Sequence, residues 1–244
     1  MRFAVVADVH FPSRAERADT FVKAISSDPT IEFVVVAGDL TDNGYDGKRD
    51  CSCLASMCGT PVVEDQLAEY IARFDAPLHA AGKHVYAVPG NTDNVVRRWR
   101  HPVTDFIRSR HGDTHYIVLR EGIALVFCDV YPDAKVLAWF ARELAHKPTL
   151  RNMPFAFFFH YNIHDASFGS GQVDDWTSLE KLAFRDAIKS LRVLGIFVGH
   201  LHATYAYKWN QHDVYCTGGN DRWAVVELVS NQAGDAAFDV TLQH

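Results

Sequence analysis

Residues 3–10 read Phe3-Ala4-Val5-Val6-Ala7-Asp8-Val9-His10: five apolar residues, then an aspartate and a histidine one position apart. An unbroken run of four to seven β-branched or aromatic residues suits a strand buried on both faces. Similar runs recur at 33–37, 84–88, 123–128, 154–159 and 195–198. Segments with helical periodicity lie between them, at 15–26, 62–82, 94–110, 134–146 and 178–192. Asn94 and Asp133 stand where the third and fourth of these helices need a cap. Strand alternating with helix predicts an α/β fold. After residue 203 the pattern turns to strands alone, at 204–209, 213–217, 223–229 and 236–242, the last two joined as a hairpin through Asn231–Asp235. With no internal repeat and no Pro/Ser linker, residues 1–244 are expected to form one domain.

The residues just past each apolar run carry the chemistry. Asp8-Val9-His10 stands after the first and Gly38-Asp39 after the second; Pro89-Gly90-Asn91-Thr92-Asp93 stands after the third. His160 ends the run 154–159, and Gly199-His200-Leu201-His202 comes after 195–198. In open α/β sheets, residues beyond the carboxyl ends of strands converge on one crevice. Asp8, His10, Asp39, Asn91, His160, His200 and His202 would then meet in one place. These are oxygen and imidazole donors without a thiolate, a mixture suited to Mn, Fe or Zn. They are too many for one tetrahedral ion and sufficient for two if a carboxylate bridges. Asp8 with His10, and His200 with His202, are expected to aim together from extended backbone, where residues i and i+2 project alike. Glycines 38, 90 and 199 are expected to free the turn out of each strand.

Any single fragment is common by chance; all of them in order, each closing an apolar run, are not. The chain resembles the calcineurin-like metallophosphoesterases, whose signature runs D-x-H, G-D, G-N-H-[D/E], H, G-H-x-H, and the resemblance extends from Asp8 to His202. It implies a four-layer αββα sandwich and two divalent metal ions. Asp8, His10 and His202 would hold the first ion, Asn91, His160 and His200 the second, and Asp39 would bridge them. A hydroxide shared by the ions would attack phosphorus in line. The implied activity is hydrolysis of a small-molecule phosphate ester, with phosphodiesters, cyclic nucleotides included, ranked slightly ahead of monoesters. The chain departs from the signature at Thr92, where many family members have a histidine that contacts the phosphate or protonates the leaving group. Thr is no general acid near neutral pH, although its hydroxyl can donate a hydrogen bond. His164 is a candidate substitute, and Asp93 reads as an orienting residue beside the ligands.

Bulk properties bound the alternatives. The 244 residues are 48% hydrophobic and 22% charged, with a net charge of −6. A dedicated nucleic-acid binder usually has a basic excess, so the charge counts against a nuclease or another nucleic-acid partner. A third reading is a metal-binding scaffold of the same fold without catalysis, for which Thr92 is the supporting feature. No run nears the roughly 20 apolar residues of a membrane span. The segment 3–7 is too short for a secretory core, so a cytoplasmic location is expected. Of the five cysteines, Cys128 and Cys216 sit in apolar runs as buried free thiols. Cys51, Cys53 and Cys58 do not have standard zinc spacing and read as a reduced loop cluster. The loop 40–61 is placed at the substrate entrance, and Gly169-Ser170-Gly171 is either a mobile loop or a turn. The run Arg97-Arg98-Trp99-Arg100-His101 reads first as a solvated helix face and second as a cationic wall. Composition does not reveal the oligomeric state.

Overall fold

The computed structural model describes residues 1–42, 63–93, 101–164, 176–218, 222–230 and 235–243. Cys51, Cys53, Cys58, Asn94, residues 97–100, 169–171 and 231–234 lie outside the described residues. The strands are β1 (Arg2–Val6), β2 (Phe33–Ala37), β3 (His84–Val88), β4 (His115–Arg120), β5 (Ile123–Cys128), β6 (Pro154–Phe158), β7 (Arg192–Val198), β8 (Thr204–Trp209), β9 (His212–Thr217), β10 (Ala224–Ser230) and β11 (Ala236–Leu242). Five of them form one sheet in the order β11-β10-β1-β2-β3, and six form another in the order β4-β5-β6-β7-β9-β8. The helices are α1 (Ala15–Ser27), α2 (Val63–Tyr70), α3 (Ala76–Ala80), α4 (Pro102–His111), α5 (Ala134–His146) and α6 (Ser178–Ile188).

Three hydrophobic cores separate four layers. Phe3, Val5, Phe33 and Val35 of the first sheet meet Leu125, Phe127, Phe158 and Phe197 of the second. Because side chains alternate across a strand, Ala4, Val34 and Val36 point the other way, onto Phe21, Ile25, Phe74 and Ile107 of the helical side. On the far side Phe155, Phe157 and Ile196 pack against Phe140 of α5 and Phe184 of α6. This is the expected αββα sandwich. It also explains why the central strands β2 and β5 are apolar throughout: each is buried on both faces.

The structure corrects four sequence boundaries. β4 falls on Tyr116–Leu119, an apolar run too short to stand out between a helix and the stronger run of β5. It pairs antiparallel with β5 through Glu121-Gly122, whose φ angles of 45° and 78° belong to a two-residue hairpin turn. The segment 62–82 is broken by a wider π turn over Ile71–Asp75, just before Pro77, which has no N–H to continue an α-helical ladder. His101 is not helical and α4 starts at Pro102, so the expected helix 94–110 does not run unbroken, residues 94–100 lying outside the described residues. α6 stops at Ile188 because β7 starts at Arg192. Asp133 caps α5 as expected, its carboxylate accepting from the Val136 N–H at 2.8 Å. Cys128 and Cys216 are free and buried.

Candidate metal centre

β1 and β2 run parallel, so their exit loops leave the sheet side by side. Main-chain bonds lock these loops together: the N–H groups of Asp8, His10 and Phe11 donate to the carbonyls of Gly38, Asp39 and Leu40, each at 3.0 Å. From the second sheet, the Gly199 N–H donates to the His160 carbonyl at 2.9 Å. The His200 N–H then reaches across to Asp8 Oδ2 at 3.0 Å, tying the two sheets at this point.

The seven residues named from the sequence meet here in two groups. In the first, ligand atoms of Asp8, His10, Asp39 and His202 all lie within 4.8 Å of one another. His10 Nε2 is 3.0 Å from His202 Nε2, and His202 Nε2 is 3.4 Å from Asp8 Oδ1. In the second, Asn91 Oδ1 is 2.9 Å from His160 Nε2 and 3.0 Å from His200 Nδ1. Asp39 faces both groups with different oxygens. Its Oδ2 is 3.5 Å from His10 Nε2, and its Oδ1 is 3.4 Å from His160 Nε2.

Backbone geometry departs from the sequence expectation. Asp8, His10, Asp39, His200 and His202 all have left-handed φ, between 49° and 72°. The D-x-H and H-x-H pairs therefore converge from left-handed turns, not from extended backbone. A non-glycine residue in this region costs about 1–3 kcal/mol and persists where the surroundings over-determine it. Among the described residues, five of the nine of this kind are at this one site. The glycines also act differently from expectation. Gly38, with φ 89°, needs the conformation. At Gly90 and Gly199 the constraint is space: a Cβ at Gly90 would collide with Asp39 Oδ1, and one at Gly199 would sit 2.6 Å from the Ala7 methyl. Gly218, which the sequence reading passed over, is fixed by the same kind of approach to Asp8 Oδ2. A glycine at the end of the β9 run was the available signal.

Charge balance shows what the pocket accommodates. Asp8 and Asp39 are 3% and 2% exposed, and among the described residues no Lys or Arg side chain pairs with either carboxylate. Buried charges are paired or coordinate metals. Burial would raise the Asp39 carboxyl, but His160, His10 and the Thr92 N–H hold it well below the usual range. Burial would lower His160, yet the Asp39 charge and hydrogen bond, with Asp8, lift it to about 9. In His10 burial wins over the two carboxylates and the ring is pushed down. The His160 Nδ1 faces the Ala37 carbonyl at 2.9 Å; a carbonyl only accepts, so Nδ1 donates and Nε2 is the nitrogen left to ligate. Oxygen and imidazole donors around an excess of buried negative charge fit two divalent cations.

Thr92 and Asp93 hold the frame. The Thr92 hydroxyl donates to the Thr41 carbonyl at 2.7 Å, and its N–H donates to Asp39 Oδ1 at 3.0 Å. The Asp93 carboxylate, 1% exposed, accepts from the Leu40, Thr41 and Gly90 N–H groups and the Thr41 hydroxyl at 2.9–3.0 Å. Burial and the Asp39 charge push it up to about 6 against those bonds. Asp93 thus clips the Asp39 loop to the Asn91 loop. His164 rests its ring on Tyr207, 5.1 Å between centroids, on the β8 side. Tyr205 and Tyr207 stack on each other and hydrogen-bond Asn162, and Trp209 stacks on Phe184, so these rings are packing. Sequence reading also missed Arg14, which donates to His202 Nδ1 at 3.0 Å.

The model of the calcineurin-like phosphoesterases matches residues 1–204. The chain belongs to that family. Membership makes it a metal-dependent phosphoesterase. The calcineurin-like fold is shared with a dimetal phosphatase from Danio rerio, at 14% identity and TM-score 0.62, over 93% of this chain and 92% of that one. It is shared too with GAP50, the anchor in the inner membrane complex of Plasmodium, at 12% identity and TM-score 0.60, over 99% and 84%. No curated protein sequence matches the chain significantly. Among the described residues of this phosphoesterase, no helix is long and apolar enough to cross a membrane.

Proposed function

We propose that this phosphoesterase hydrolyses small phosphate esters at a cation pair held by Asp8, His10 and His202 on one side and Asn91, His160 and His200 on the other, with Asp39 between. The observation carrying the reading is the division of the Asp39 oxygens, Oδ2 toward His10 and Oδ1 toward His160. Two bound cations would lower the pKa of a shared water and clamp phosphoryl oxygens. The chain's own part is to fix the ligands. Asp93 clips the loops, Ala37 sets the His160 tautomer, and the Thr92 N–H holds Asp39. Mn, Fe and Zn all suit this donor set.

With its hydroxyl engaged by Thr41, Thr92 does not protonate a leaving group. Esters whose leaving groups depart as anions are therefore favoured, and among them we rank diesters, cyclic nucleotides included, ahead of monoesters. Buried free thiols at Cys128 and Cys216 support a reducing, cytoplasmic setting. Pairing of β10 with β1 supports treating 1–244 as one domain. The test is metal analysis and then rates on a nitrophenyl monoester, a nitrophenyl diester, cyclic nucleotides and a single-stranded oligonucleotide. Two equivalents of metal with turnover of the small esters are expected. Metal with no turnover of any substrate would favour a scaffold, the reading to which the engaged Thr92 hydroxyl points; turnover of the oligonucleotide alone would favour a nuclease.

A further inference from the structure

We infer that Arg14 binds substrate, its guanidinium gripping an anionic phosphoryl oxygen beside the cation site; the inference rests on the phosphoesterase reading of that site. Arg14 stands immediately before α1 and turns back toward the ligands. Its Nη1 donates to the Asp8 carbonyl at 3.3 Å, and its Nη2 donates to His202 Nδ1 at 3.0 Å. A guanidinium has donors only, so while Arg14 rests on it Nδ1 accepts and Nε2 carries the ring proton. For Nε2 to ligate a cation the proton must sit on Nδ1 instead, which turns Arg14 off the ring and frees its guanidinium for a phosphoryl oxygen. The contact is on the outer edge of the ring, and the Nε2 edge faces Asp8 and His10. Positive charge is thus placed one imidazole width from the pocket.

Arg14 differs from the arginines that sit in ion pairs, and unlike Arg120, Arg142 and Arg151, which also lack a carboxylate partner among the described residues, it stands against a candidate ligand histidine. Arg2, Arg73, Arg108, Arg110, Arg185 and Arg192 each pair with a carboxylate. Among the described residues, Arg14 has none; a main-chain carbonyl and an imidazole nitrogen hold it, and its charge is not neutralised. A guanidinium offers five N–H groups in a planar fork that matches the oxygens of a phosphoryl group. Arg14 also lines an open cleft of about 670 Å³ with Ser13, Glu16, Arg17 and Arg73, so its side chain is reachable from outside the ligand cluster. A dianionic monoester gains more from this extra cation than a monoanionic diester does, because the attraction scales with charge.

The manganese-loaded protein, R14Q and R14K are compared for metal content, inhibition by inorganic phosphate, and kinetics on a nitrophenyl monoester and a nitrophenyl diester. In R14Q, metal content should stay at the parent level. The phosphate inhibition constant and the monoester KM should each rise about 10-fold, with a smaller rise for the diester, since charge-assisted bonds to phosphate are the strong ones. R14K should recover part of the loss. Phosphate inhibition within twofold of the parent in R14Q would overturn the assignment. So would metal loss in both variants with phosphate affinity tracking metal content, since Arg14 would then serve the ligands alone. A parent that loads metal and turns over esters while R14Q is indifferent defeats only the role of Arg14; a parent that does neither defeats the phosphoesterase reading with it.

Discussion

Two histidines in this protein, His160 and His111, sit among neighbours of opposite charge. At the strand ends, His160 lies among Asp39 and Asp8 and is lifted to about 9 despite complete burial. Beside the edge strand β3 of the first sheet, His84 lies with Arg110 and His111 of α4 and His79 of α3. There burial, reinforced by those neighbouring cations, pushes His111 down to about 4. The edge-group rings are also close, with 6.2 Å between the centroids of His84 and His111 and 5.6 Å between those of His79 and His84. Proximity of imidazoles is therefore no sign of a cation site by itself. The distinguishing feature is the pair of buried carboxylates that no Lys or Arg neutralises.

The largest effect should come from removing the carboxylate that faces both groups. Asp39→Ala is expected to lose both metals and to lower turnover by about 10³-fold or more, since electrostatic stabilisation by metal clamps is commonly the largest catalytic contribution. Metal analysis and ester hydrolysis check it. Bound metals with unchanged rates would contradict the bridging role and remove the contrast between the two groups.

Thr92→His sharpens the comparison from the chemical side by placing a titratable ring where the structure has a hydroxyl bound to Thr41. Turnover of an alkyl phosphate ester should rise by about 10²-fold, the low end of what a general acid supplies, with little change for a nitrophenyl ester. Equal gains on both substrates would show that leaving-group protonation is not what Thr92 lacks.

Much of the frame was legible in the sequence because double-sided burial writes unbroken apolar runs, and the ligands are the residues that terminate them. The parts that were not legible have specific physical reasons. β4 depends on pairing with β5 through a two-residue turn, a tertiary partner that a short run does not announce. The left-handed turns at Asp8 and His10 go with main-chain bonds to the neighbouring β2 loop and that at His200 with its N–H bond to the Asp8 carboxylate, and an alternating pattern looks the same whether extended or turned. Gly90, Gly199 and Gly218 are fixed by what approaches them from distant segments. Arg14 meets His202 across 188 positions, and no spacing rule connects them. Asp93 was read as an orienting residue, but the four donors that converge on it became visible only in three dimensions.

Those donors give the next prediction. In Asp93→Asn the amide NH₂ replaces one oxygen and faces N–H or O–H donors, leaving buried groups unpaired. A loss of about 2–3 kcal/mol is expected, at the upper end for a buried unsatisfied group because more than one donor loses its acceptor. Denaturant unfolding measures it, and metal affinity should fall as the Asn91 loop loosens from the Asp39 loop. A change below about 0.5 kcal/mol, the range of ordinary surface substitutions, would show that the clip contributes little.

The smallest effect belongs to the edge group and has the opposite pH sense to that of a histidine whose pKa is raised on folding, such as His160. The His111 ring stacks on Tyr116 at 4.6 Å and lies near Tyr86 and His84. Burial first, then His84, Arg110 and His79, disfavour its protonated form. Folded His111 takes up its proton near pH 4, whereas the unfolded residue does so near 6.5. The unfolded state therefore binds more protons between these values, and stability present above about pH 6.5 is lost as pH falls toward 4. Asp75 tempers this by pairing with Arg110 at 2.7 Å and His79 at 3.5 Å, which removes part of the repulsion. His111→Gln should flatten the fall in unfolding free energy between pH 6.5 and 4.5 while leaving the metal content at neutral pH as in the parent. An equally steep fall in the variant would mean that acid sensitivity arises elsewhere and that the edge histidines titrate alike in both states.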